Sequence, residues 1–302
     1  MNKKLKGFLL AAGGASFWGG SGAAAQYLFH DTPVTTAWLV GVRMLGAGLL
    51  LTLLSCWRKP DQVKQLLTAK RDLLMVIAFA VCGVLNSQLT YFLAIKYSNA
   101  PTATVLQYLQ PVLIILWVAG RSRRWPRRID DISVVLALFG TALLVTGGHL
   151  GSLTLTPLAL FWGLWCALAA AIYTLMPQPL LRRYDTMAVS GLAMIFGGLV
   201  MLPELFIHPL PHLTGADWLM VGYVVIFGTM LAYTMFLGSL NFLSPTTTGI
   251  LGAFEPLIAT ILAVTLLGTH LTWAMVVGSL LILATTFLQA LPVKRDPLAP
   301  KD

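Results

Sequence analysis

A single carboxylate stands near the middle of a long apolar run between Thr246 and Gly268, where Glu255 is followed directly by Pro256. An acidic side chain at the centre of a bilayer costs about 2.5 to 3.5 kcal/mol, so such residues usually face a protein interior or a wet cavity. Pro256 removes one backbone donor and strains the preceding turn, which frees carbonyl groups for other partners. Two interpretations follow: a helix kink whose carboxylate is tied to a neighbouring helix, or a group that handles substrate or protons.

Arg43 is the second costly residue, because it lies about ten residues into another apolar segment. A permanent cation at that depth requires a partner. In the sequence, Glu255 is the only acidic residue at a comparable depth, since the others lie near segment ends or in loops. We hypothesise that Arg43 and Glu255 either pair directly or hold opposite sides of one cavity that binds a zwitterion.

The composition identifies the class of protein. Hydrophobic residues make up 57% of the 302-residue chain and charged residues only 10%, so a polar surface of globular type cannot be built. The net charge of +9 does not indicate nucleic-acid binding, because the basic residues form short clusters between apolar runs. Cys56, Cys82 and Cys166 lie far apart and show no metal-ligand spacing. We therefore predict an integral membrane protein with no metal site and no cofactor.

The apolar segments predict an all-α fold of ten transmembrane helices, each long enough to cross about 30 Å of hydrocarbon. They fall near residues 6–29, 34–56, 73–95, 101–119, 130–148, 156–176, 187–207, 217–238, 246–268 and 272–291. With the N-terminus inside, 18 of the 20 lysines and arginines fall in cytoplasmic loops or tails, including the cluster Arg121, Arg123, Arg124, Arg127 and Arg128. Both termini are therefore predicted to be cytoplasmic.

The two halves of the chain show weak internal similarity. A shift of 145 residues lays Gln110 on Glu255 and Pro111 on Pro256. The stripe Thr104, Gln107 and Gln110 then overlays a matching stripe on the ninth helix, formed by Gly249, Gly252 and Glu255. Five helices are an odd number, so the halves enter the membrane from opposite sides as an inverted repeat, which typically places a binding site at the midplane between them. We expect both stripes to face one central cavity.

The predicted domains follow from this repeat. Residues 1–150 form the first five-helix repeat, residues 151–293 form the second, and residues 294–302 form a cytoplasmic tail.

Amide, phenol and aromatic side chains at similar depth complete the predicted cavity. Gln88 and Tyr91 are three residues apart and share a helix face. Trp162 and Trp165 are expected to add aromatic surface, while small residues every four positions around Trp18 favour close helix packing, so Trp18 is either packing or cavity wall. The predicted substrate-binding residues are Trp18, Arg43, Gln88, Tyr91, Gln107, Gln110, Tyr173, Tyr233 and Glu255. Such a site suits a small polar or zwitterionic molecule better than a polyanion.

These residues carry a family resemblance. The ten predicted helices in two halves, Phe17-Trp18-Gly19 in the first helix, Arg43 in the second and Glu255-Pro256 in the ninth resemble the EamA family of the drug/metabolite transporter superfamily. The resemblance implies an inverted-repeat fold with a central cavity, and export of small metabolites such as amino acids by proton exchange or facilitated diffusion. Gln110-Pro111 stands where some family members carry a second Glu-Pro pair, so only one half offers a titratable group at the midplane.

The expected function is export of small metabolites, amino acids or related zwitterions, by alternating access across the bacterial inner membrane, with Glu255 as the candidate for proton coupling. The alternative is efflux of drugs or lipophilic cations. A membrane-embedded enzyme is disfavoured, because the midplane holds just Glu255 and Arg43. The expected partners are a small-molecule substrate and the lipid bilayer, without nucleic acid. Protons as a coupling ion and a homodimer are left open.

Overall fold

The computed structural model describes residues 3–122, 128–148, 154–207, 212–243 and 245–289, which form helices joined by short turns and loops and contain no strand. This confirms the predicted all-α class. The predicted boundary between residues 150 and 151, the basic residues Arg123, Arg124 and Arg127, the end of the last predicted segment at residue 291 and the tail 294–302 lie outside the described residues.

Thirteen helices are numbered in chain order. They are α1 (Lys3–Asp31), α2 (Thr36–Arg58), α3 (Pro60–Thr68), α4 (Lys70–Tyr97), α5 (Ala100–Gln107), α6 (Gln110–Ser122), α7 (Arg128–Thr146), α8 (Pro157–Leu175), α9 (Thr186–Val200), α10 (Gly215–Ser239), α11 (Pro245–Leu251), α12 (Phe254–Leu267) and α13 (Trp273–Gln289). Two short helices, Gln178–Leu181 and Leu202–Ile207, follow α8 and α9.

Seven stretches of the described residues are long and apolar enough to cross a membrane. They are Thr36–Arg58, Lys70–Tyr97, Ala100–Arg121, Arg128–Thr146, Pro157–Leu181, Gly215–Ser239 and Thr247–Leu267. Two apolar helices, Thr186–Val200 and Trp273–Leu288, are shorter. The seven stretches coincide with predicted segments to within a few residues, and the total of ten spans stays a prediction.

Among the interruptions of helix geometry in the described residues, four form two pairs, with one member of each pair in each half of the chain. The stretch Phe79–Leu85 of α4 and the stretch Ile226–Leu231 of α10 are π-helical. Residues 108–109 separate α5 from α6, and residues 252–253 separate α11 from α12.

Pro256 accounts for the break between α11 and α12. In a regular helix the amide of residue 256 would bond to the carbonyl of residue 252, but Pro256 has no N–H. The Gly252 carbonyl instead accepts from the Glu255 amide at 2.9 Å and from the Tyr108 hydroxyl at 2.7 Å. Tyr108 lies at the break of the other half, so the two interruptions contact each other.

The helices form two groups, and each group contains helices from both halves of the chain. In the α1 bundle, α1 packs against α10, α11 and α12. In the α8 bundle, α8 packs against α4, α5 and α6. The pairs α2 with α9 and α7 with α13 join equivalent helices of the two halves. Each bundle therefore combines one helix from one half of the chain with several from the other.

A tyrosine and an aspartate hold each bundle together at its end. Asp217 is the third residue of α10, and its carboxylate accepts from the Tyr27 hydroxyl of α1 at 2.9 Å. Asp72 is the third residue of α4, and it accepts from the Tyr184 hydroxyl at 2.7 Å and from both terminal nitrogens of Arg183, at 3.0 and 2.6 Å. This hydrogen bond raises the pKa of the Tyr184 hydroxyl, which therefore remains a donor. We call these two contacts the tyrosine–aspartate clasps.

Gly19 allows α1 to approach α12 closely. A Cβ atom at Gly19 would overlap the carbonyl oxygen of Glu255 and lie 2.9 Å from the backbone nitrogen of Ala259. Both atoms belong to the backbone, so the helices would have to separate.

Gly19→Ala is therefore expected to lower the stability of the fold by about 1 to 3 kcal/mol, the usual cost of overpacking. The measurement is the thermal unfolding midpoint of the purified protein in detergent. Gly222→Ala on α10 is the matched control, because a Cβ there meets no atom within 4 Å. Equal midpoints for the two variants would contradict the close contact.

Candidate functional site

A cavity of about 520 Å³ lies between the α1 bundle and the α8 bundle. All nine residues predicted to bind substrate line it. They come from eight of the numbered helices, in both halves, so the fold brings together side chains that are up to 237 positions apart, from Trp18 to Glu255. The volume falls within the range of about 300 to 1,000 Å³ that is usual for small-molecule sites.

Arg43 is buried at the wall of this cavity, with 5% of its surface exposed. Its Nε donates to the Thr229 hydroxyl at 2.7 Å, and its Nη2 donates to the Gly228 carbonyl at 3.2 Å. The ring of Phe92 lies against the guanidinium, with 5.0 Å between Cζ and the ring centroid. The other terminal nitrogen, Nη1, is buried without a hydrogen-bond partner. The Nε, the Nη2 and one face of the guanidinium are thus in contact with protein, and the N–H groups of Nη1 remain for a ligand.

The partners of Arg43 belong to the π-helical stretch of α10. The Thr229 hydroxyl donates to the Val224 carbonyl at 2.8 Å, five residues earlier, as the wider π turn requires. Arg43 donates to the Thr229 hydroxyl and to the Gly228 carbonyl, both within this stretch. Arg43 therefore ties α2 to the π-helical stretch of α10 at the cavity.

Glu255 faces the same cavity from the first turn of α12, immediately after the helix break. Within the described part of the chain, no ion pair joins it to Arg43. The direct pair, one of our two hypotheses, is therefore not formed. The arrangement present is the other one, in which the two charges line one cavity.

Hydroxyl groups connect the cavity wall across the bundles. The hydroxyls of Tyr173 on α8 and Tyr233 on α10 are 2.7 Å apart. Tyr91 shares a hydrogen bond of 2.8 Å with the Thr104 hydroxyl. The Trp18 ring packs on Tyr233 and Phe236, with centroid distances of 5.3 and 4.8 Å, so it serves both packing and the cavity wall.

Three expectations about the cavity were wrong. Thr104 is fully buried behind Tyr91 and does not line the cavity, although Gln107 and Gln110 of its stripe do. Trp165 is 43% exposed, and its Nε1 donates to Asn86 at 3.1 Å on the outside of the bundle. Trp162 lies about 16 Å along α8 from Tyr173, so it is too far along the helix to reach the cavity.

The predicted set lacked several residues that line the cavity. They are Ser87, Tyr108, Pro111, Ala170, Thr174, Phe236 and Thr286, whereas Gly249 and Gly252 line the cavity as expected from their stripe. Thr174 accepts a hydrogen bond from the Gln110 amide. Ser87, Tyr108 and Thr174 each adjoin a predicted residue in the sequence, but successive residues of a helix point about 100° apart, so adjacency did not predict that they line the cavity. Tyr108 in addition lies at the break between α5 and α6.

Among the described residues, no three His, Cys, Asp or Glu side chains lie close enough together to hold a metal ion. The donors present in the cavity are one guanidinium, one carboxylate, amides and phenols. These groups are suited to a ligand that is held by charge and hydrogen bonds.

Comparisons with known proteins agree on one family. Residues 5–146 and 157–291 match the model of the EamA-like transporter family. The chain is 37% identical, over 98% of both chains, to "Uncharacterized inner membrane transporter YicL" of Salmonella typhimurium. It is 30% identical to "Uncharacterized transporter YxxF" of Bacillus subtilis, over 74% of this chain and 71% of that one. A solved crystal structure that is 21% identical, and covers 95% of this chain and 96% of its own, superposes with a TM-score of 0.62, so it shares the fold.

Proposed function

We propose, from the premise that the chain belongs to the EamA-like transporter family and is a multi-pass membrane transporter, that it moves amino acids or related zwitterions by alternating access around the central cavity. Export from the cytoplasm across the bacterial inner membrane is the proposed direction. The basic loops of the sequence support an orientation with both termini in the cytoplasm.

The observation that carries this proposal is the free Nη1 of Arg43 in a cavity that Glu255 also lines. A buried donor without a partner is costly, and a substrate carboxylate would satisfy it with a charge-assisted hydrogen bond. Glu255 offers a carboxylate to the ammonium group of the same molecule. The rings of Trp18 and Phe236 offer an apolar surface to its side chain. A zwitterion with a modest apolar body fits these groups best.

Alternating access is supported by features that recur in the two halves. The π-helical stretches begin at Phe79 and Ile226, and the aspartates of the two clasps are Asp72 and Asp217, which are 145 residues apart. The packing of α1 on α10 and α12 has its counterpart in the packing of α8 on α4 and α6. These recurrences support two inverted repeats, 1–150 and 151–293, that rock against each other around the cavity.

The test is counterflow in proteoliposomes. Vesicles are loaded with one unlabelled candidate, a labelled trace is added outside, and the panel contains amino acids, amines, nucleosides and one lipophilic cation. We expect accumulation of amino acids, because only they present both charges to the cavity. Accumulation of the lipophilic cation alone would replace this proposal with drug efflux, in which Glu255 and the aromatic wall bind the cation.

A further inference from the structure

We infer that Gln26 of α1 is a gating residue that closes one end of the cavity by bridging the α1 bundle to the α8 bundle. This inference rests on the proposed alternating-access function. It assigns the closing contact to one side chain, which lies about 12 Å beyond Trp18 along α1.

The side-chain amide of Gln26 forms hydrogen bonds through both its oxygen and its nitrogen. Its Oε1 accepts from the backbone amide of Ala100, the first residue of α5, at 2.7 Å. Its Nε2 donates to the Thr269 hydroxyl, in the loop after α12, at 3.0 Å. The first amides of a helix lack partners within the helix, so Gln26 supplies α5 with an acceptor from another bundle. Because the Ala100 amide can only donate, the oxygen of Gln26 faces α5 and its nitrogen faces Thr269.

The neighbouring residues Gln26 and Tyr27 of α1 contact different bundles. Tyr27 donates to Asp217 and so ties α1 to α10, inside its own bundle. Gln26 reaches Ala100, which belongs to the other bundle. A rocking movement of one bundle against the other would leave both tyrosine–aspartate clasps intact and break the Gln26 contact. The bundles are also hydrogen-bonded at the cavity itself, by Tyr173 with Tyr233 and by Tyr108 with Gly252, so Gln26 supplies the contact between them at the end beyond Trp18.

Exposure along the cavity shows which end is closed. Gln26 is only 7% exposed, and Arg43 and Tyr91 are also buried. Toward the other end, Gln110 and Thr174 are half-buried and Gly249 is exposed. The cavity thus becomes progressively more accessible away from Gln26, as expected of a carrier closed at one gate and open at the other.

Side-specific labelling tests this gate without any substrate. In the full chain Cys56 and Cys82 are replaced by serine and Cys166 by alanine, and Ser87→Cys places one thiol in the cavity. A small membrane-impermeant methanethiosulfonate reagent is added to either face of sealed vesicles. The parent is expected to react from the face opposite Gln26. Gln26→Met has a similar length but makes neither hydrogen bond, so labelling from the Gln26 face should rise on the order of tenfold.

Two further variants complete the test. Gln65→Met changes an exposed glutamine of α3 in the same way and should leave labelling from both faces unchanged. Thr269→Val removes only the Nε2 contact and should give a smaller rise, and it carries the test if Gln26→Met does not yield folded protein. Unchanged labelling in a folded Gln26→Met or Thr269→Val protein would overturn the gate. Equal labelling of the parent from both faces would overturn alternating access itself, which distinguishes the two failures.

Discussion

Arg43→Met is expected to abolish transport and to destabilise the fold. The Thr229 hydroxyl and the Gly228 carbonyl would each lose their donor from Arg43, and each buried polar group left unsatisfied costs about 1 to 3 kcal/mol. The substrate carboxylate would lose its charged partner as well, a further loss of tenfold to hundredfold in affinity at about 1.4 kcal/mol per factor of ten. The measurements are the unfolding midpoint and the counterflow rate of the same preparation.

Two comparisons separate the structural effect from the effect on binding. Arg58→Met removes an exposed arginine from the end of the same helix α2 and should leave both quantities unchanged. Arg43→Lys keeps the positive charge, but an ammonium group lacks the planar set of N–H donors of a guanidinium. It therefore cannot hydrogen-bond to the π-helical stretch of α10 and to the substrate carboxylate at the same time. We expect it to be more stable than Arg43→Met while transport remains impaired. Wild-type transport in Arg43→Met would exclude the proposed role of this residue.

Glu255→Gln is expected to abolish flux driven by a pH gradient while counterflow exchange stays measurable, with an affinity lower by about tenfold because the substrate ammonium loses its charged partner. Glutamine has the shape of the protonated acid but cannot release a proton, so the exchange of substrate continues without coupling. The other titratable groups that line the described cavity are Arg43, Tyr91, Tyr108, Tyr173 and Tyr233. Their ordinary pKa values lie at about 10 or above, so Glu255 is the coupling candidate among them.

The control for this experiment is Glu204→Gln, since Glu204 lies on the short helix after α9 and does not line the cavity. It should retain pH-driven flux. Equal loss of driven flux and exchange in Glu255→Gln would leave Glu255 with substrate binding or a structural role and remove its role in proton coupling. A wild-type protein that does not respond to a pH gradient would remove proton coupling from the proposal.

The cavity residues were predictable because polar side chains are costly inside apolar helices. Arg43, Glu255 and Gln110 each stand within a run of hydrophobic residues, and only a shared interior could hold them. Similar logic failed for Thr104, because a threonine satisfies itself on its own helix: its hydroxyl donates to the Ala100 carbonyl at 2.8 Å. Its presence in the helix therefore required no cavity.

Other features carry no sequence signal. The π-helical stretches FAVCGVL and IFGTML have the composition of any membrane helix, so neither could be predicted. Gln26 stands near the end of a run rich in glycine and alanine, where a glutamine usually marks the approach to water. Its two hydrogen bonds depend on residues 74 and 243 positions away, which only the fold brings close. Long-range polar contacts of this kind are set by tertiary packing.

Whether Arg43 and Glu255 together bind the two charges of one substrate can be measured by competition in proteoliposomes. The transported amino acid, its methyl ester and its N-acetyl derivative are compared as inhibitors of labelled counterflow. The ester leaves Arg43 without a carboxylate and the acetyl group leaves Glu255 without an ammonium, so each derivative should compete at least about tenfold more weakly than the parent. Equal competition by all three compounds would contradict a site that recognises both charges.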